Sequence, residues 1–344
     1  MTASRATPVF TGQPVSRESL LSILNVAVWA PNHHLREPWQ FVYVDGAATE
    51  EYVQGMTRWR SGQPGAESPD GAGLPPAPAY LIVTVKISDK PKVMQEDEAA
   101  VWCLIQNLKL LAEEQDIGIR PEPSLDWNAE GFTAWAGTAA GERIVAVLGI
   151  GQCSRRAAAS SQAARTIRER RTVRSFTEQP VEAAVVQRLL RDSLPEASLR
   201  QGWRFIEAGS HEERSRMTDL MMASIKDMLT YKLMPGKVKN IFWKRTYSIP
   251  FNLVAVLDRE RPPLEWSAEF GAMCSTLQNF QLAAWEEGIG MTWSSSDILD
   301  NVDFCAGMGL KPSEKIVAIL HMGYTAKVPK GKPRTPAEHK LRFW

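Results

Sequence analysis

Apolar residues recur along this chain in two rhythms, one helical and one strand-like, and their alternation predicts the elements. Between Ser16 and Trp29 the residues Leu20, Leu21, Leu24, Ala27 and Val28 fall at helical spacing behind Ser16, a natural N-cap. Trp39 to Val44 and Tyr80 to Lys86 are short β-prone runs and read as strands. From Asp97 to Gln115 apolar side chains occupy nearly every face, among them Val101, Trp102, Leu104, Ile105, Leu108, Leu110 and Leu111, which predicts a buried central helix. Arg143 to Gly149 reads as a closing strand. The series then returns: a helix over Val181 to Arg191, strands over Trp203 to Glu207 and Asn252 to Leu257, a helix over Ala268 to Glu287, and a strand over Lys315 to Met322. Helix, strand, strand, helix, strand, written twice, predicts an α+β architecture.

Individual residues repeat with the elements. Gln13-Pro14-Val15 is matched by Gln179-Pro180-Val181, Trp39-Gln40-Phe41 by Trp203-Arg204-Phe205, Gln106-Asn107 by Gln278-Asn279, Gly118 by Gly290, and Gly151 by Gly323. Landmarks in one order, at a slowly drifting separation of about half the chain, predict an internal duplication. Residues 1–153 form the first repeat, the alanine- and serine-rich stretch 154–165 a linker, and 166–344 the second repeat. Ser61 to Pro78, dense in glycine and proline, reads as a surface loop. The second repeat carries a longer insertion, 211–247, with Met217, Leu220, Met221, Ile225, Met228 and Leu229 along a helical stripe. Such a stripe serves either as ordinary core or as a lid over an apolar molecule.

Composition narrows the classes of function. The chain has 344 residues, 44% of them apolar, and 40 basic against 39 acidic side chains for a net charge of +1. It can bury a large core, and no global field draws it to nucleic acid or to a membrane; any charge-based function is local. No apolar run approaches the roughly 20 residues of a membrane span, and the first ten residues lack the features of a leader, so a soluble cytoplasmic protein is expected. Cys103, Cys153, Cys274 and Cys305 form no C-x-x-C pair and read as reduced thiols, and the five histidines, His33-His34 included, give no metal-ligand spacing. Gly149-Ile150-Gly151-Gln152-Cys153-Ser154 lacks the third glycine of a dinucleotide fingerprint. The twelve tryptophans read as core, with Trp293 the one placed near a ligand.

The densest chemistry is Arg170-Arg171-Thr172-Val173-Arg174-Ser175-Phe176, preceded by Arg168. On extended backbone Arg170, Thr172 and Arg174 share a face, where guanidinium groups and a hydroxyl suit a phosphate. Taken alone, the run equally suits a solvated basic linker.

Together with Ala30-Pro31-Asn32-His33-His34-Leu35-Arg36-Glu37-Pro38-Trp39, Pro180-Val181, Gln278-Asn279, Gly288-Ile289-Gly290-Met291-Thr292-Trp293 and Lys332-Pro333-Arg334, this run resembles the FMN-dependent nitroreductase superfamily. The resemblance covers most of both halves, so the chain looks like a tandem member, two nitroreductase-like repeats packed as an intramolecular pseudo-dimer. Family members are typically homodimers with FMN at the interface, each flavin held by the arginine motif and basic tail of one subunit and a polar loop of the other. In this chain the motifs are unequally kept. Aligning Phe10 with Phe176 sets Ser4, Ala6 and Pro8 opposite Arg170, Thr172 and Arg174, with Arg5 the cation left nearby; Pro195-Glu196-Ala197-Ser198 replaces the polar loop in the second repeat.

The resemblance therefore implies one FMN per chain, held by Arg170, Arg171, Thr172, Arg174, Lys332 and Arg334 from the second repeat and Pro31, Asn32 and His33 from the first. Gly290 would lie near the flavin's reactive edge, with support from Thr292 and Trp293. NAD(P)H is the implied transient reductant, in a ping-pong hydride transfer to nitroaromatic, quinone or enone-like small molecules. Two other readings stay open: a flavin-dependent dehydrogenase or oxidase of a specialised metabolite, and a non-catalytic FMN-sequestering protein.

Overall fold

The computed structural model describes residues 8–61, 75–122, 126–129, 131–154, 162–194, 202–226 and 229–344. In chain order the elements are α1 (Arg17–Ala27), β1 (Trp39–Val44), α2 (Ala48–Ser61), β2 (Ala79–Lys86), α3 (Pro91–Glu113), β3 (Ile117–Pro121), α4 (Phe132–Trp135), β4 (Glu142–Gln152) and α5 (Ala163–Glu169). They continue as α6 (Ala183–Ser193), β5 (Trp203–Ala208), α7 (His211–Ile225), α8 (Leu229–Lys232), α9 (Gly236–Tyr247), β6 (Phe251–Asp258), α10 (Pro263–Glu286), β7 (Ile289–Ser294), α11 (Val302–Gly307), β8 (Glu314–Tyr324) and β9 (Leu341–Phe343). Ser16 caps α1, its hydroxyl accepting from the Ser19 amide. The long helices α3 and α10 begin several residues before the expected positions, each with a proline in the first turn, where its missing N–H costs nothing.

Two compact units result, one of Arg170–Gly331, the other of Ala3–Glu169 and Lys332–Trp344. The C-terminal tail, assigned by sequence to the second repeat, thus belongs with the first. Its strand β9 pairs in parallel with β1, and the Trp344 indole donates to the Trp135 carbonyl at 2.7 Å. Of the expected linker 154–165, 155–161 lies outside the described residues, and its last three residues open helix α5 (Ala163–Glu169).

Within each unit the sheet follows one plan. The strand orders are β3-β4-β2-β1-β9 and β5-β6-β8-β7, so the second, read backwards, is the first without β9. Even the irregularities recur: the β2/β4 ladder shifts register between Val83 and Thr84, and the β6/β8 ladder between Ala255 and Val256. Gly118 pairs with Gly151 in one sheet and Gly290 with Gly323 in the other. A Cβ at Gly151 would stand within 3 Å of Phe10 and Pro78, and one at Gly323 within 3 Å of Phe176 and Pro250. The glycine landmarks are therefore sites where a crossing segment lies directly on the sheet.

Each sheet buries both faces. In one, Val42, Val44, Tyr80 and Ile82 point into an aromatic cluster with Tyr52, Trp127 and Phe132; alternation turns Phe41, Tyr43, Leu81 and Val83 to the other side, and α3 packs on α1 and β2. In the other, Met217 and Met221 of α7 are buried with Val254, Val256, Ile316 and Phe304. That much of the methionine-rich stripe is core. Met228 lies outside the described residues.

Candidate functional site

The polar loop after α1 is unusual in its backbone. His34, Leu35 and Glu37 have φ of 52°, 56° and 45°, left-handed values that side chains with a Cβ rarely adopt and that cost about 1–3 kcal/mol each. The surroundings hold them there. Asn32 Oδ1 accepts from the Glu37 amide at 3.0 Å, closing the loop on itself. Arg36 donates to Asp97 at 2.8 Å and to Glu96 at 2.7 Å, tying the loop to α3. Burial opposes the charge on Arg36, but these two carboxylates keep its pKa raised; burial likewise pushes the Asp97 carboxyl up, with Arg36 pulling the other way. Asn107, one of the repeated amides, donates to the Ala27 carbonyl at 3.2 Å and anchors the end of α1 just ahead of the loop.

The C-terminal tail locks the same loop from the other side. The buried Glu37 carboxylate accepts from the Thr335 amide at 3.1 and 3.3 Å, and the Lys340 ammonium donates to the Glu37 carbonyl at 2.7 Å. Burial pulls the Lys340 pKa down, and the Glu37 charge opposes that fall. Asn25 pairs with both the Ala337 amide and the Glu338 carboxylate. Arg334 lies over the Trp29 ring at 5.3 Å, a cation–π distance. Thus Pro31, Asn32 and His33 of the front half and Lys332 and Arg334 of the back half sit in one unit. His33 packs edge-on to His34 at 4.1 Å, and desolvation holds its imidazole below the ordinary pKa.

The arginine segment belongs to the other unit. Thr172 bridges Met291 in parallel, and the Val173 amide donates to the Met291 carbonyl at 3.0 Å, so the segment runs along β7. Gly290 permits that approach: a Cβ there would stand 2.4 Å from the Val173 side chain and 2.6 Å from the Thr325 hydroxyl. Val173 is buried, Thr172 half-buried and Arg174 exposed, while Arg170 is buried directly after α5. Arg171 donates to the Arg170 carbonyl at 2.9 Å.

The expected residues therefore form two groups. Arg170, Arg171, Thr172, Arg174, Gly290, Thr292 and Trp293 lie in one unit, and Pro31, Asn32, His33, Lys332 and Arg334 in the other. Gly290 to Trp293 lie on strand β7, whose amides and carbonyls pair with β8. Ser4, Arg5, Ala6 and Pro195 to Ser198 lie outside the described residues. The sequence reading missed Glu37, Lys340, Asn25 and the Glu96/Asp97 pair. Glu37 stands within the quoted motif, but nothing local marks it, since its partners are some 300 positions away.

A family model described as the Nitroreductase family matches the chain twice, over residues 5–152 and 167–324. A Bacillus subtilis (strain 168) protein named "Putative NAD(P)H nitroreductase YfhC" is 33% identical over 181 residues, 51% of this chain and 90% of its own length. Among solved structures, a nitroreductase-like family protein from Bacillus cereus is 33% identical with a TM-score of 0.48, covering 54% of this chain and 97% of its own. A Desulfovibrio desulfuricans protein described as "a putative nitroreductase in complex with fmn" is 20% identical with a TM-score of 0.41, covering 53% and 96%. Each relative accounts for half of this chain and nearly all of itself. With the family's pattern present once in each half, the chain belongs to the Nitroreductase family as a tandem member.

Proposed function

We propose that this protein is an FMN-dependent NAD(P)H oxidoreductase that binds one flavin per chain. FMN, when bound, supplies a two-electron carrier that NAD(P)H reduces and a small nitroaromatic, quinone or enone-like acceptor reoxidises. The observation that carries the reading is the union of the strained polar loop and the back-half tail within one unit, since the family's flavin site needs both.

The residues suit the cofactor. Arg170, Arg171 and Arg174 bring three permanent cations, with the Thr172 hydroxyl among them, to the edge of β7, a donor set matched to a phosphate and a polyhydroxyl chain. Lys332 and Arg334 add two more in the unit that holds Asn32 and His33. Asn32, already committed through Oδ1 to the loop, is a fixed hydrogen-bonding group. Gly290 lets the arginine segment lie directly on β7, since Val173 and Thr325 occupy the space a Cβ would fill. Positive charge near a flavin's pyrimidine edge favours its reduced anionic form, and Arg174, exposed and next to Thr172, is the residue assigned that task.

The test is the flavin content of the purified protein and of two variants. Protein with one FMN per chain that bleaches anaerobically with NADPH and recolours with a nitroarene is expected. Arg170→Ala strips the flavin and Arg5→Ala does not. Two flavins per chain, equal loss in both variants, or a flavin that no nicotinamide reduces would overturn the proposal.

A further inference from the structure

The balanced total charge conceals a local excess. From Lys226 to Arg245 the sequence carries six cations, Lys226, Lys232, Lys237, Lys239, Lys244 and Arg245, against Asp227 alone, in a chain whose net charge is +1. Most of this excess is on α9 and the turn before it. The helix is held from one side: the Trp243 indole donates to Asp219 of α7 at 2.8 Å, Trp243 stacks on Tyr247 at 4.9 Å, and Lys239 lies over the Tyr231 ring at 4.8 Å.

The opposite side is apolar and bare. Val238, Ile241 and Phe242 are 43%, 64% and 40% exposed, and Leu233, just ahead of the helix, is 74% exposed. Spacings of three and four residues put Val238, Ile241 and Phe242 in one stripe. Lys237, Lys244 and Arg245 are exposed around it, and α9 itself holds no carboxylate. Exposed apolar side chains ringed by cations on a short convex helix suit an interface between water and negatively charged lipid. A standard protein interface buries about 800 Å² on each side with shaped complementarity. Four side chains on one helix and its leading turn fall well short of that, whereas a bilayer demands no matching shape.

We propose that this corner of the insertion, Leu233 with α9, is a peripheral docking site for an anionic lipid bilayer. The whole-chain charge predicts no membrane partner; segregation of the cations reverses that expectation locally. The attachment is shallow, with Ile241, Phe242 and Leu233 entering the headgroup boundary and the lysines meeting lipid phosphates.

The test is co-sedimentation of the full-length protein with vesicles of about three parts phosphatidylcholine to one of phosphatidylglycerol, and with phosphatidylcholine alone, at low and raised salt. Binding to the anionic vesicles alone, weakened by salt, is expected. Lys237→Gln with Lys244→Gln lowers the partition coefficient about 25-fold, near fivefold for each charge removed, and Ile241→Asp with Phe242→Asp abolishes sedimentation. All four positions are exposed, and an unchanged circular dichroism spectrum verifies that the variants fold. No sedimentation, equal binding to neutral vesicles, equal binding to soluble duplex DNA, or a stripe whose substitution only dissolves an oligomer would overturn the proposal.

Discussion

Replacing Glu37 by glutamine tests whether the tail is held by charge. The substitution keeps the shape and one acceptor oxygen but removes the carboxylate that takes the Thr335 amide at 3.1 and 3.3 Å. A charge-assisted hydrogen bond reduced to a neutral one loses about 1 kcal/mol. Lys340 loses more. It is buried, its ammonium is already disfavoured by desolvation, and Glu37 is the charge that supports it. Withdrawing that support from a partly compensated buried cation adds about 1 kcal/mol, well under the 3–5 kcal/mol of a fully buried pair because the 2.7 Å bond to the Glu37 carbonyl survives. Together the tail loses about 2 kcal/mol, a roughly 25-fold rise in its detached population. Trypsin reads this directly, because cleavage after the buried Lys340 requires detachment and follows the open population when opening is fast. Glu37→Gln is expected to speed that cleavage about 25-fold, while Glu338→Gln, which disturbs one exposed bond to Asn25, speeds it no more than about fourfold. Equal rates in the two variants, or a change below about threefold for Glu37→Gln, would refute the argument.

Three further outcomes follow from the other unit. His321 is buried with Nδ1 2.6 Å from Asn252 Oδ1, and desolvation lowers its pKa from 6.5 to about 4. The unfolded chain therefore binds a proton that the folded chain refuses, so stability falls by up to about 3 kcal/mol as pH drops from 6.5 to 4 and flattens below; ring titration by NMR should find this imidazole neutral at pH 5. Glu314 behaves oppositely: its hydrogen bonds to Arg204 at 2.8 Å lower its pKa from 4.5 to about 2, so the stability it contributes is present above 4.5 and is lost as pH falls toward 2. Because Arg204 is 41% exposed, solvent screening reduces this to about 1–2 kcal/mol, which denaturant titration of Glu314→Gln at neutral pH checks. Gly290→Ala drives a methyl into Val173 and costs about 1–3 kcal/mol, with faster hydrogen exchange at the Val173 amide; Gly236→Ala, with open space around it, serves as the neutral control.

The duplication was legible because its landmarks are steric. Gly118, Gly151, Gly290 and Gly323 stand where another segment presses on the sheet, so any side chain there must displace a neighbour. The strands of strong alternation and the helices apolar on many faces were legible for the usual reason, that burial writes a period into the chain. β3 and β7 were not, being only five and six residues long and interrupted by glycine, although Asp116 and Gly288 turn the chain at positive φ just before each. Helix α2 carries Glu50, Glu51, Gln54 and Arg58 around Tyr52 and Met56, and two buried residues among those described are too few to announce a period. β9 is three residues, Leu341–Phe343, whose strand character comes entirely from β1 beside it.

The tail also shows why the boundary of a repeat in sequence is not the boundary of a folded unit. Residues 332–344 follow the second repeat without a break, yet their hydrogen bonds run to Asn25, Glu37, Tyr43, Trp135 and Glu142, all in the first. A unit made of residues 3–169 alone would lack the edge strand beside β1, leave the Asn25 and Glu37 acceptors to water, and lose the amide that fixes the left-handed turn at Glu37. Three residues held at positive φ at about 1–3 kcal/mol each would then be held only by the Asn32 bond to the Glu37 amide and the Arg36 bonds to Glu96 and Asp97. In a homodimer of single repeats every copy must carry loop, arginines and tail alike. Joined in one chain, each copy is free to keep only what its place requires, and under the one-flavin site proposed above that division puts Asn32 and His33 in front and Arg170, Thr172, Arg174, Lys332 and Arg334 behind.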